Sequence, residues 1–166
     1  QESDPDFDPW RETGNNIHGY QSHTRFSEAE QRRNMATYYG MVSMMDKYIG
    51  KILDKLDALG IADDTLVVFT RDHGHFFGQH GLHFKGGFHY EDLIRVPFIV
   101  RQPGKVPAGV VSDAHQSLVD LAPTFLSWAD IPIPHAMTGV DQSDVWQGRK
   151  SAARDHAICE LRHEPT

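Results

Sequence analysis

Thr65-Leu66-Val67-Val68-Phe69-Thr70-Arg71-Asp72-His73-Gly74 is the stretch on which the fold turns. Its first six residues are apolar or β-branched and do not alternate, the pattern of a strand covered on both faces in a parallel sheet. The run ends directly in a carboxylate, an imidazole and a glycine. In open α/β sheets ligands collect beyond the carboxyl ends of the strands, so Asp72 and His73 emerge where a site is expected. Aspartate offers hard oxygen and histidine a nitrogen that is neutral at pH 7. Together they suit a divalent cation, or contact with a phosphate- or sulfate-like group. Asp-His-Gly also suits a plain turn after a strand, and these ten residues leave both readings open.

Upstream lies a long helical pattern. Met35, Tyr38, Val42, Met45, Ile49, Ile52, Leu56 and Leu59 are spaced alternately by three and four residues, which places them on one stripe. Ser27 and Glu30 form a capping-box pair at its start, and Gly60 supplies a left-handed residue to end it. A helix over 28–59 is about 48 Å long. So regular a stripe also fits a coiled coil, but a buried strand follows at once. Downstream, Val96-Pro97-Phe98-Ile99-Val100 reads as a second buried strand, with Pro97 tolerable near its start. Val110-Val111 begins a possible short strand. Leu118–Ala129 reads as a second helix, capped by Asp120, with Pro123 in its first turn. Ala157-Ile158-Cys159 is a further candidate strand.

This order predicts an α/β fold, with a mostly parallel sheet flanked by helices. So thin a sheet beside so long a helix suggests a partial domain. The expected organisation is an irregular N-terminal arm over 1–26, a partial catalytic-type domain over 27–150, and a connecting segment over 151–166.

Composition narrows the function. The 166 residues carry 16 basic and 23 acidic side chains, a net charge of −7, with no basic stripe, which argues against nucleic acid as partner. No apolar run approaches the ~20 residues of a membrane span. The sequence starts at Gln1 without a recognisable signal peptide, so localisation stays open. The single cysteine, Cys159, builds no disulfide framework. Histidine is the anomaly: five of the eleven lie between His73 and His89.

Three of those histidines sit in a glycine-rich loop, His75-Phe76-Phe77-Gly78-Gln79-His80-Gly81-Leu82-His83-Phe84-Lys85-Gly86-Gly87. The gap between the two strands is long for a plain connection, and Lys85 is its one cation, able to meet an oxyanion or to stand as an ordinary exposed lysine. Four stretches now become specific: YYGMVSMMDKYIGKILDKLDALG, TLVVFTRDHG, GQHGLHFKGGFHYEDLIRVPFIVRQPG and SLVDLAPTFLSWADI. Over Tyr38–Gly139, in one unbroken order, they resemble the sulfatase family of the alkaline-phosphatase superfamily.

The resemblance implies an alkaline-phosphatase-like fold and sulfuric ester hydrolysis. It implies that Asp72 and His73 help to hold Ca²⁺, and that Lys85 is the catalytic lysine that contacts the sulfate. His75, His80, His83 and His89 stand as candidate residues behind these ligands, with His80 as the GxHG histidine that shapes the loop. Glu91 and Arg95 match the lead-in to the second strand and are expected to anchor the loop. Arg71 departs from the serine or threonine expected there. The family's Cys-x-Pro-Ser-Arg-type motif, the source of the formylglycine nucleophile, does not occur in these residues, and Cys159 has neither the proline nor the serine. The expected partners are a sulfated small molecule or sulfated glycan, and an N-terminal half of the same protein carrying the nucleophile and the other acidic ligands. The chain alone is expected to be inactive. A phosphodiesterase or phosphonate monoester hydrolase of the same superfamily, and a non-catalytic binding module, are the alternatives.

Overall fold

The computed structural model describes residues 20–22 and 26–160; the rest of the arm expected over 1–26 lies outside the described residues. The chain divides into two compact units that interleave in sequence, one of residues 1–55 and 71–97, the other of 56–70 and 98–166.

The first unit begins with strand β1, Tyr20–Ser22, in a stretch without hydrophobic periodicity. Helix α1, Glu28–Ala58, follows, and only its end lies outside this unit. The capping box forms as expected: the Ser27 N–H and hydroxyl donate to Glu30 Oε2 at 2.8 and 2.7 Å, and the Glu30 N–H donates back to Ser27 Oγ at 3.4 Å. Gly60, at φ 66°, ends the helix as the left-handed residue. The apolar stripe has the expected period but is not packed away. No residue of α1 is buried, and Val42, Met45 and Ile52 stand exposed.

Strands β3 (Phe76–Phe77) and β4 (Leu82–Phe84) form a hairpin, and β1 adds to the other side of β4, all antiparallel. Short helix α2, Glu91–Ile94, closes the segment. Phe76, Leu82 and Leu93 are buried together, with Phe88 and Tyr90 packed against them. This small core fixes the loop on which the candidate site is built.

In the second unit, β2 (Val67–Thr70) pairs with β5 (Phe98–Arg101). The α/β class read from the sequence holds, but this pair is antiparallel where a parallel one was expected. A parallel pair needs a crossover, usually a helix, that carries the chain back to the same end. Residues 71–97 contain only the hairpin and the four-residue α2, so the chain returns beside β2 in the opposite direction. Nor are both faces covered: Phe69 and Ile99, directly opposite each other, are exposed.

The second expected helix starts as a 3₁₀ turn, Leu118–Asp120, and continues as α3, Leu121–Trp128. Its cap is Ser117 rather than Asp120. The Asp120 carboxylate is the third residue of a capping box and accepts the Ser117 N–H at 3.1 Å. The same buried carboxylate accepts from the Val140 N–H at 2.8 Å, the Gln142 amide at 3.0 Å and the Arg154 guanidinium at 2.9 Å. Helix α4, Ser143–Trp146, places Trp146 among Phe98, Phe125 and Trp128. Val110-Val111 and Ala157-Ile158-Cys159 form no strand.

Candidate active site

Asp72 and His73 follow β2 by two residues, and they fold on each other. The His73 N–H donates to Asp72 Oδ1 at 3.0 Å. His73 Nδ1 lies 2.7 Å from the Gly74 carbonyl, which can only accept, so Nδ1 carries the ring proton. Nε2 then faces Asp72 Oδ2 at 3.6 Å. Asp72 Oδ2 and His73 Nε2 would together offer a divalent cation one hard oxygen and one imidazole nitrogen. A histidine tied through Nδ1–H to a carbonyl, with Nε2 turned outward, is in the form that metal ligands adopt. The Asp72 carboxyl is held below the ordinary carboxylate range, chiefly by the imidazole of His73 beside it; its own and the His73 N–H add to this, and the Lys85 ammonium contributes at longer range. Asp72 is open to solvent, so its ionised form is ready to meet a ligand.

The donor set is chemically suitable but small. Among the described residues, no three His, Cys, Asp or Glu side chains are grouped so as to hold a metal ion. Three of the other histidines are engaged elsewhere. His75 stacks on Tyr38 at 5.2 Å and lies 4.5 Å from Phe77. Its pKa is lowered, first by burial and then by the neighbouring His73, Arg71 and His83. His80 lies flat on Tyr90 at 3.8 Å, and its Nε2 is 3.2 Å from Asp92 Oδ2. His83 is buried against Phe26 at 5.0 Å. His89 is exposed.

Lys85 is exposed at the end of β4, directly after Phe84. Phe84 has φ 69° and His80 has φ 54°, a left-handed backbone that is uncommon outside glycine. Glu91 and Arg95, expected to anchor the loop, pair with each other at 3.7 Å on the surface. The loop is tied instead through Asp92, which the sequence reading passed over. The signal was present as three consecutive residues, Tyr90-Glu91-Asp92, but only the fold shows which carboxylate turns inward. Gly74 packs so closely on this turn that a Cβ there would lie 1.7 Å from the Asp92 carbonyl oxygen.

A protein-family model for sulfatases matches residues 8–131. The chain belongs to the sulfatase family. It is 36% identical over 121 residues to N-acetylglucosamine-6-O-sulfatase of Bacteroides thetaiotaomicron, covering 73% of this chain and 22% of that protein. It is 34% identical over 128 residues to the multifunctional alkaline phosphatase superfamily protein PehA of Trinickia caryophylli, covering 76% of this chain and 25% of that protein. A solved structure in complex with its substrate D-glucosamine-2-N,6-O-disulfate aligns with a TM-score of 0.70 at 34% identity, over 76% of this chain and 25% of that one. This sulfatase chain therefore has the alkaline-phosphatase-like fold of its relatives, and it spans about a quarter of their length.

Proposed function

We propose that this sulfatase chain contributes part of a site for hydrolysing the sulfate ester of a sulfated glycan or small molecule. Asp72 and His73 are two ligands of a divalent cation, Ca²⁺, and Lys85 contacts the sulfate. The observation that carries this reading is the pairing of Asp72 Oδ2 with His73 Nε2 at 3.6 Å, with Nδ1 tied back to Gly74. When bound, the cation neutralises charge on the sulfate oxygens. Lys85 supplies a fixed positive charge that stabilises the negative charge developing as the S–O bond breaks. Asp72 and His73 make an incomplete Ca²⁺ shell, because that ion takes six to eight ligands. The remaining acidic ligands and the formylglycine nucleophile are assigned to an N-terminal half of the same protein, so the 166 residues alone are inactive and bind metal weakly. Glucosamine disulfate bound to one structural relative supports a sulfated sugar as the substrate class.

Similarity to a multifunctional superfamily member keeps phosphodiester and phosphonate monoester hydrolysis as the competing reading. The test is to assay the full-length protein on an aryl sulfate, an aryl phosphodiester and a 6-O-sulfated glucosamine. Turnover of the sulfates, falling about 100-fold or more in Lys85→Ala and Asp72→Ala, is expected. Faster turnover of the diester would reassign the reaction, and wild-type rates in Lys85→Ala would remove that residue from the site. No turnover of any of the three would favour the non-catalytic binding module.

A further inference from the structure

The loop that presents Lys85 is held in a conformation its own sequence does not favour. Two residues between Gly78 and Lys85, His80 and Phe84, have left-handed backbones, at φ 54° and 69°. Such residues persist only where the surroundings over-determine them, and they gather at functional sites. At Phe84 the surroundings are the strands themselves, since Phe84 is paired in register with Phe76 on one side and Tyr20 on the other. His80 lies outside any strand, in the 3₁₀ turn Gln79–Gly81. Its ring is fixed by the turn leading into α2: Tyr90 stacks beneath it at 3.8 Å and an interplanar angle of 7°, and Asp92 Oδ2 accepts from its Nε2 at 3.2 Å.

The same turn grips Asp72-His73-Gly74 in a different way. The Gly74 N–H donates to the Leu93 carbonyl at 2.8 Å, and the Gly74 Cα rests against the Asp92 backbone. Residues 90–93 therefore brace both halves of the candidate site. They hold the Asp-His pair through main-chain atoms and the lysine loop through a side chain. Leu93, buried with Phe76 and Leu82, seats the brace in the small core.

The geometry points to Asp92 as a positioning residue for Lys85: its carboxylate, acting through His80, sets the loop that carries the sulfate-contacting ammonium. This rests on the role proposed above for Lys85. It separates the two halves of the site experimentally, because removing the Asp92 side chain cuts the loop's tether and leaves the main-chain grip on Gly74 intact.

The test uses the full-length protein with Asp92→Ala, Asp92→Asn and Lys85→Ala. Amide hydrogen exchange is read over 72–75 and 79–85, and inorganic sulfate affinity is measured by calorimetry. Asparagine keeps an oxygen that can accept from the imidazole N–H; alanine does not. Asp92→Ala is expected to speed exchange over 79–85, to leave the Gly74 amide protected, and to weaken sulfate binding about tenfold. Asp92→Asn should recover most of both. Unchanged exchange over 79–85 in Asp92→Ala would overturn the inference. So would acceleration of both segments together in Asp92→Ala and Asp92→Asn alike, which is the signature of a residue that only stabilises the fold. If Lys85→Ala leaves sulfate affinity unaltered, the proposed role of Lys85 fails instead, and the exchange data still decide whether Asp92 sets the loop.

Discussion

Substituting Gly74 by alanine tests how tightly the Asp72-His73 turn is registered. Gly74 does not have a left-handed φ, so alanine is allowed there as a backbone conformer, and the effect is one of space. The added Cβ would lie 1.7 Å from the Asp92 carbonyl oxygen and 2.7 Å from its carbon. Contacts under 3.0 Å are essentially never observed for real Cβ atoms, and the obstacle here is backbone rather than the end of a flexible side chain. The two segments must separate by about 1.3 Å or more to relieve the first contact. That movement breaks the 2.8 Å bond from the Gly74 N–H to the Leu93 carbonyl and carries Asp72 and His73 with it. Misplacing catalytic groups by ~1 Å lowers rates by about 100-fold, or roughly 2.7 kcal/mol of transition-state stabilisation. The assay is aryl sulfate hydrolysis by the full-length protein, with thermal unfolding followed in parallel. A loss of about 100-fold in kcat/KM, in a variant that still unfolds cooperatively, is expected. An alanine variant within threefold of wild type would refute the claim that this contact registers the site.

Asp120→Ala should destabilise the second unit by about 3–5 kcal/mol in urea unfolding, because it leaves the partly buried Arg154 guanidinium without its partner and three N–H donors without their acceptor. The Glu30 carboxyl is held below its usual range, first by the Ser27 hydroxyl and then by the Ser27 N–H. A carboxyl depressed in the folded state stabilises above its unfolded pKa and loses that contribution as pH falls through the folded value. Glu30→Gln should therefore lower the Tm near neutral pH, with the difference from wild type closing under acid; a difference that is constant with pH would count against the capping box.

Local rules decided much of this chain without any tertiary information. The three-four spacing from Met35 to Leu59, with Ser27, Glu30 and Gly60 at its ends, specified α1 because capping and helical period depend on residues within one or two turns of each other. The apolar runs placed β2 and β5 within two residues of their observed limits. The motifs around Asp72, Lys85 and Tyr90 carried the family. What they could not carry was direction and partnership. The antiparallel pairing of β2 with β5 depends on the shape taken by residues 71–97 between them, and a strand's own sequence does not state which way its neighbour runs. The sequence singled out His73 beside Asp72 and His80 in the GxHG segment, but not what the histidines of this loop would touch. Only the fold turned Nε2 of His73 toward Asp72, laid His75 on Tyr38, and set His80 between Tyr90 and Asp92. Asp92 rather than Glu91 became the loop's tether because α2 turns one carboxylate inward and leaves the other on the surface with Arg95. Side-chain chemistry is written residue by residue, but which donor meets which acceptor is settled by the backbone path that brings the two together.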